Sequence, residues 1–504
     1  MDENGCRRRA DSEMLEGMRS EISGREDAAD VREIRRALTR EAGEFVRSDG
    51  FFEVLTSRVA RRTESQESGN GQAARDYLSE DIVPELAALG FDSTIYENPE
   101  SDEHPLLIAT RVEDPDLPTV LLYGHGDVQF AHADQWAEGL DPWVLTRDGD
   151  RLYGRGTADN KGQHTVNTVA LRTVLDAFGE DGNPAEAALG YNVSILMETA
   201  EEAGSKGLRA FAADHTDELA ADLFLASDGP RISAEVPTLF LGSRGALNFR
   251  LIAHERDDNH HSGNWGGKLR NPATVIAAAI NSLVDGNGVI RIPALRPADP
   301  PASVRAAVAK LPDVVDDGAP EIDPTWGEPG LTPAERVFAF NVLEVLALDA
   351  GEPAQVVNAI PGTASAMMQL RFVVGTDISD FENRVRAHLE EQGITGVVVE
   401  LDHCMPATRL DPDSRVVGAA AESIRKTTGL EAAVEPNLGG TIPNDVFAEV
   451  LGLPTVWVPH SYPGCHQHAP DEHALLSILE QGAEIMTGMF WDMRANPSDW
   501  FTSK

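Results

Sequence analysis

Thr119-Val120-Leu121-Leu122-Tyr123-Gly124-His125-Gly126-Asp127 is the stretch that decides the fold. The apolar run Thr119–Tyr123 reads as a buried strand of a parallel sheet, because such strands are covered on both faces. It delivers His125 and Asp127 at its C-terminal end, where open α/β sheets place their chemistry. A spacing of two puts both side chains on one side of the extended chain, so one can bind a metal while the other orients it. Further on comes a second dense segment, Gly154-Arg155-Gly156-Thr157-Ala158-Asp159-Asn160-Lys161.

Working outward, helical spacing of apolar residues marks 31–46, 51–61 and 73–89, the last stopped by Gly90. Strand patterns follow at 92–96, 106–111 and 119–123. The chain then alternates, with a helix at 163–178, a strand at 192–197, a helix at 205–213 and a strand at 223–226. Strands alternating with helices imply βαβ units and a largely parallel sheet flanked by helices. From about Gly242 the order becomes strand 247–254, helix 272–284, strand 364–374, helix 378–392 and strand 396–401, a small α+β unit with a Pro-rich insertion at about 286–333. After Pro406 the α/β pattern resumes with helices at 414–428 and 444–450, a strand at 455–458 and a closing helix at 471–491. The expected organisation is a flexible acidic tail over 1–30 and a catalytic domain split between 31–241 and 406–504. Residues 242–405 form an α+β lid and dimerisation domain inserted into it.

The chain has 504 residues, 41% of them hydrophobic, enough for two or more cored domains. With 42 Lys and Arg against 83 Asp and Glu, the net charge of −41 argues against nucleic acid or anionic membranes as partners. Three cysteines, Cys6, Cys404 and Cys465, cannot make a disulfide framework, and no apolar run reaches membrane-spanning length. Arg7-Arg8-Arg9 is followed by polar residues rather than the apolar core of a signal peptide, so a cytoplasmic location is expected.

The remaining chemistry sits at other strand ends. The 192–197 strand runs into Glu198-Thr199-Ala200-Glu201-Glu202, the 223–226 strand into Ser227-Asp228-Gly229, and the 455–458 strand toward Cys465-His466-Gln467-His468-Ala469-Pro470-Asp471-Glu472. Taken singly, each has an ordinary reading: an Asp after a strand is commonly a helix cap, Glu201-Glu202 a solvated turn, and His466, His468 and His473 surface histidines. Their joint placement at strand ends favours a shared site. Two histidines and three carboxylates suit a pair of zinc ions sharing one carboxylate.

The ordered set Gly-His-Gly-Asp-Val at 124–128, Gly-Arg-Gly-Thr-Ala-Asp-Asn-Lys-Gly at 154–162, Thr-Ala-Glu-Glu-Ala-Gly-Ser-Lys-Gly-Leu at 199–208, Ala-Ser-Asp-Gly at 226–229 and His-Ala-Pro-Asp-Glu at 468–472 resembles the dinuclear zinc amidohydrolases. That family includes carboxypeptidase G, aminoacylase, acetylornithine deacetylase, succinyl-diaminopimelate desuccinylase and the carnosinase-like dipeptidases. The resemblance runs from about Asp30 to the C-terminus. It implies that His125 and Asp228 hold one metal, Glu202 and His468 the other, and that Asp159 bridges both. It further implies that Asp127 orients His125, that Glu201 is the general base toward an activated water, and that the Asp159–Asn160 peptide is cis. Zinc is the implied metal, with manganese or cobalt as substitutes.

His260-His261-Ser262-Gly263 resembles the dipeptidase branch, in which the His before Ser-Gly comes from the partner subunit and stabilises the oxyanion. By this resemblance His261 is the candidate for that role, with His260 as the flanking alternative, and the role would imply a homodimer through the inserted domain. Arg371 sits where the family's carboxylate-binding Arg is found, and Gly440 and Thr441 belong to a Gly-Gly-Thr loop that contacts the same carboxylate. One departure stands before that loop, where carnosinase-like enzymes have Arg-Glu and this chain has Asn437-Leu438. The expected function is metal-dependent hydrolysis of dipeptides or short peptides. An N-acyl-amino-acid deacylase is the alternative within the class. A non-catalytic peptide- or metal-binding relative is the alternative outside it, against which the pair Asp127 and Glu201 speaks.

Overall fold

A computed structural model describes residues 28–179, 183–312 and 320–501. The expected tail over 1–30 lies outside them except for 28–30, which already belong to the helix Ala28–Val46.

The Thr119–His125 strand is buried from Val120 onward. Its alternate side chains point to opposite faces. Val120 and Leu122 enter one core with Leu171 and Val174 of helix Lys161–Phe178 and Met486 and Phe490 of helix Leu476–Ala495. Leu121 and Tyr123 enter another with Phe211 of helix Leu208–Asp214 and Phe447. A strand sandwiched in this way must be apolar on both faces, which is why it reads as a continuous run rather than an alternation.

The central sheet has eight strands in the spatial order Asp92–Asn98, Ser101–Arg111, Asn192–Glu198, Thr119–His125, Leu223–Ala226, Thr455–Trp457, Thr238–Phe240, Ala433–Glu435. Thr119–His125 pairs in parallel with Asn192–Glu198 and with Leu223–Ala226, and Thr455–Trp457 continues the parallel run. The C-terminal ends that carry His125, Glu201-Glu202 and Asp228 therefore emerge on one edge.

A second, antiparallel sheet runs Val342–Asp349, Thr363–Phe372, Gly245–His254, Val397–Met405. Helices Pro272–Leu283 and Phe381–Glu391 pack on one of its faces through Ile276, Leu283, Val385 and Leu389. A small three-stranded sheet sets His473–Leu475 beside Arg151–Tyr153, bringing the loops before and after them together.

Several local expectations are corrected. The closing helix starts at Leu476 rather than Asp471, because 473–475 pair as a strand with 151–153. The 73–89 segment is helical but passes through a π-turn at Tyr77–Ile82, and the 444–450 helix is a π-turn at Val446–Val450. The region of the Pro-rich insertion carries helices Ala302–Val308 and Pro333–Phe338 and leads into the edge strand Val342–Asp349.

Candidate metal centre and substrate cavity

His125 is fully buried, and its two ring nitrogens face different carboxylates. Nδ1 lies 3.2 Å from the Asp127 carbonyl and 3.4 Å from its carboxylate Oδ1. Nε2 lies 3.0 Å from Asp159 Oδ1 and 3.7 Å from Asp228 Oδ2. On the other side of Asp159, His468 Nε2 is 3.1 Å from Asp159 Oδ2 and 3.1 Å from Glu202 Oε2. The result is two donor triads, His125/Asp159/Asp228 and Asp159/Glu202/His468, each with its ligand atoms within 4.8 Å of one another and sharing one carboxylate.

Each residue arrives by a traceable route. Asp127 accepts hydrogen bonds from the backbone N–H of Glu201 (3.2 Å) and of Glu202 (3.0 Å), so it fixes the Glu-Glu turn as well as His125. Asp159 is presented by a loop wrapped around Glu472. The Oε1 of Glu472 accepts from the N–H groups of Gly156 (3.0 Å), Ala158 (3.0 Å) and Asp159 (3.1 Å), while its Oε2 pairs with Arg155 Nη1 at 2.6 Å. A Cβ on Gly162 would stand 2.0 Å from the Thr157 carbonyl, so only glycine lets the loop fold back onto the helix it leads into. The Asp159–Asn160 peptide is cis. His468 sits at positive φ in the 462–472 loop, next to Gln467, which donates to Asp159 Oδ2.

The electrostatics are those of a site built for cations. Burial works against a charged His125, but hydrogen bonds to Asp127 and Asp159 outweigh it and hold its pKa well above 6.5. His468 rises to about 11 despite burial, through hydrogen bonds to Asp159 and Glu202. Burial, reinforced by Asp159, lifts Glu202 to about 7 and Asp228 to about 6. Crowded, desolvated carboxylates of this kind require a positive partner, and two imidazoles with three carboxylates are the donor chemistry of borderline divalent ions such as zinc. The residues present fit a pair of such ions. Glu201 stands apart. Its carboxylate belongs to neither triad, has no hydrogen-bond partner among the described residues and is lifted well above 4.5, first by burial. It lines a cavity of about 540 Å³ with Asp159, Asp228 and His468.

Arg371, Gly440 and Thr441 line the same cavity. Arg371 Nη1 donates to Thr441 Oγ1 at 2.5 Å, and Thr441 donates to the Arg244 carbonyl at 2.9 Å. Arg244 in turn donates from Nε to the Gly439 carbonyl at 2.8 Å, so the Gly-Gly-Thr loop is held by arginines from the second sheet and its approach rather than by a residue immediately before it. His261 does not join them. It is exposed on a two-stranded ribbon, paired with Ala359, and this chain does not place it in the cavity.

Histidines and the cysteine left unassigned by sequence find ordinary places. His164 is buried against Tyr77 Oη (2.7 Å) and Arg58, and burial first, then Arg58, pushes its pKa well below 6.5. His132 and His403 are exposed. Cys465 is fully buried beside Ala158, Tyr462 and Ile478, belongs to neither donor triad, and has its thiol pushed up to about 12 by burial. Sequence reasoning missed the roles of Glu472, Arg155 and Gln467. The only signal for Glu472 was its place in the same motif as His468.

Residues 121–492 match the model of Peptidase family M20/M25/M40. Human Beta-Ala-His dipeptidase is 28% identical over 414 residues, covering 77% of this chain and 77% of that protein. The Cysteinylglycine-S-conjugate dipeptidase of Corynebacterium striatum is 26% identical over 422 residues, covering 80% and 83%. Among solved structures, the M20 family metallo-carboxypeptidase Sso-CP2 from Sulfolobus solfataricus superposes with a TM-score of 0.73 at 23% identity, covering 88% of this chain and 99% of that one. With the family's span laid over both donor triads, the chain belongs to peptidase family M20/M25/M40 and is a metallopeptidase.

Proposed function

We propose that this chain hydrolyses the amide bond of dipeptides or short peptides with a dinuclear metal centre, zinc in the first instance and manganese or cobalt as substitutes. The observation that carries it is the position of Glu201, an unpartnered carboxylate on the cavity wall beside two donor triads that do not use it. His125 and Asp228 would hold one ion, Glu202 and His468 the other, and Asp159 both; when bound, the ions supply Lewis acidity toward water and the scissile carbonyl. Glu201 takes a proton from the attacking water and returns it to the leaving amine nitrogen. Asp127 keeps His125 and both Glu backbone amides in place throughout. Arg371, Gly440 and Thr441 hold the substrate's carboxylate.

His261 completes the site from a second copy, where it donates to the oxygen on which negative charge develops. The exposure of His261 in the single chain supports this. So does the apolar surface around it: Val356 is 83% and Val357 65% exposed a few residues before the ribbon strand Ala359–Ile360. The edge strand Val342–Asp349, paired on one side with Thr363–Phe372, adds exposed Val345, Leu346 and Leu348. Exposed apolar edges are what a homodimer interface covers. No helix among the described residues is long and apolar enough to cross a membrane, and we place the enzyme in the cytoplasm on its cysteine usage.

A panel of dipeptides and N-acyl amino acids, assayed with added zinc, manganese or cobalt, tests the reading. Turnover of dipeptides is expected; turnover of N-acyl amino acids alone would replace it with the deacylase. Mixing His261→Ala with Glu201→Ala subunits should restore part of the activity, and no restoration despite demonstrated subunit exchange refutes supply from the partner.

A further inference from the structure

Glu435 is the last residue of the edge strand Ala433–Glu435, at the C-terminal end that its parallel neighbour Thr238–Phe240 shares. It is 3% exposed, lines the same cavity as Glu201 and Arg371, and among the described residues its carboxylate has neither a hydrogen bond nor an ion pair. Arg231, another wall residue, donates from Nη1 to Gln481 Oε1 (2.6 Å) and from Nε to the Pro459 carbonyl, makes no ion pair with Glu435 among the described residues, and keeps a buried Nη2 without a hydrogen-bond partner. A buried carboxylate left without a partner is costly, and those retained at a cavity wall are candidates for a ligand contact.

Its place in the sheet says which part of a ligand it meets. Three strand spacings, roughly 14 Å, separate its strand from Leu223–Ala226, which leads to Asp228, so it is remote from the metal ligands. It lies four residues before Gly439, on the segment that forms the carboxylate-anchoring loop. The wall there is otherwise apolar, with Phe338, Leu438 and Ile442, and Phe338 comes from the helix Pro333–Phe338 that follows the insertion. Glu435, Arg371 and Thr441 line one cavity, so a side chain leaving a C-terminal residue anchored by Arg371 and Thr441 would share that space with Glu435 and this wall.

We propose that Glu435 selects substrates whose C-terminal residue carries a basic side chain, its carboxylate accepting hydrogen bonds from a lysine-type ammonium or an arginine-type guanidinium. Phe338 and Leu438 flank the methylene stem. The inference rests on the peptidase reading for the anchoring of the C-terminal carboxylate, and it deepens that reading by naming the substrate class.

The test uses metal-loaded, full-length Glu201→Gln protein, which binds without turnover, titrated calorimetrically in 500 mM NaCl, where the surface field is screened, with Ala-Lys, Ala-Arg and the neutral isostere Ala-norleucine. Ala-Lys and Ala-Arg should bind about 10- to 100-fold more tightly than Ala-norleucine, the range of a desolvated charge-assisted hydrogen bond. Adding Glu435→Gln should bring the ratio to about one, and Glu435→Asp should keep part of it. Equal binding of the three peptides, or a preference that survives Glu435→Gln, overturns the proposal. So does a Glu435→Gln effect on discrimination between Ala-norleucine and its N-acetyl form, which would assign the carboxylate to the α-amine. Failure of the peptidase reading shows separately, as absence of dipeptide turnover by the Glu201-intact enzyme.

Discussion

Replacing Glu435 by Gln removes a charge and keeps the shape. Burial alone raises the Glu435 carboxyl from 4.5 to about 8. In the unfolded chain the group loses its proton near 4.5; in the folded chain it keeps it to about 8. The folded state is therefore favoured most below 4.5, and that advantage is lost as pH rises through 8. At about 1.4 kcal/mol per pH unit the full loss is on the order of 5 kcal/mol, and at pH 5.5 only about 1.4 kcal/mol has gone. Glutamine has no such linkage. For a chain of 504 residues the unfolding entropy is about 1 kcal/mol per kelvin, so each kcal/mol moves Tm by about 1 °C. Glu435→Gln should melt about 1–2 °C above wild type at pH 5.5 and about 5 °C above it at pH 8.5, followed by scanning calorimetry of the ligand-free proteins. A difference that is flat with pH, or a wild type that is the more stable at pH 8.5, would refute the reasoning. It would mean that the carboxylate already has a cationic partner in the free protein.

Glu201→Gln should keep both metals and lose turnover, whereas Glu202→Gln should lose metal; equal metal loss in the two purified variants, measured by elemental analysis, contradicts the division of roles. Glu472→Gln leaves the buried Arg155 without its counter-charge and should cost about 3–5 kcal/mol in urea unfolding. It should also weaken metal binding about 10- to 100-fold through the loosened Asp159 loop, and unchanged metal affinity would separate the loop from the site. Arg371→Lys keeps the charge but loses the planar fork that donates to both Thr441 and Gln369, so KM should rise about tenfold or more; a change confined to kcat would reassign Arg371 away from carboxylate binding.

The candidate metal centre was legible because the groups that could form it are written in short local motifs at or near the ends of strands whose apolar runs announce themselves. His125, Asp159, Glu202, Asp228 and His468 come from five separate segments, and only a parallel sheet brings such ends to one edge. What supports them was less legible. Glu472 holds Gly156, Ala158 and Asp159 across more than 300 residues of chain, and no local period encodes that pairing. The strands Thr238–Phe240 and Ala433–Glu435 have three residues each, too short for a period of two to stand out. Asp471 looked like the start of a helix because 471–475 continue into one, yet pairing with Arg151–Tyr153 takes the first turn away. Glu435 had no signal at all: a glutamate before a proline is ordinary until burial without a partner sets it apart.

The net charge of −41 argues against nucleic acid as a partner, and the same field bears on what reaches the cavity. A strongly negative surface attracts cationic peptides and is screened over about 8 Å at physiological ionic strength, whereas a charge pair inside a desolvated cavity is screened much less. The two contributions separate by salt. Raising NaCl from 20 to 500 mM should lower kcat/KM for Ala-Lys severalfold and leave Ala-norleucine within about twofold. In Glu435→Gln, Ala-Lys should keep that slope, set by the surface, while losing its advantage over Ala-norleucine at high salt, set by the cavity. If the Ala-Lys advantage in wild type disappears at 500 mM NaCl, the selectivity belongs to the surface field and Glu435 has no part in it.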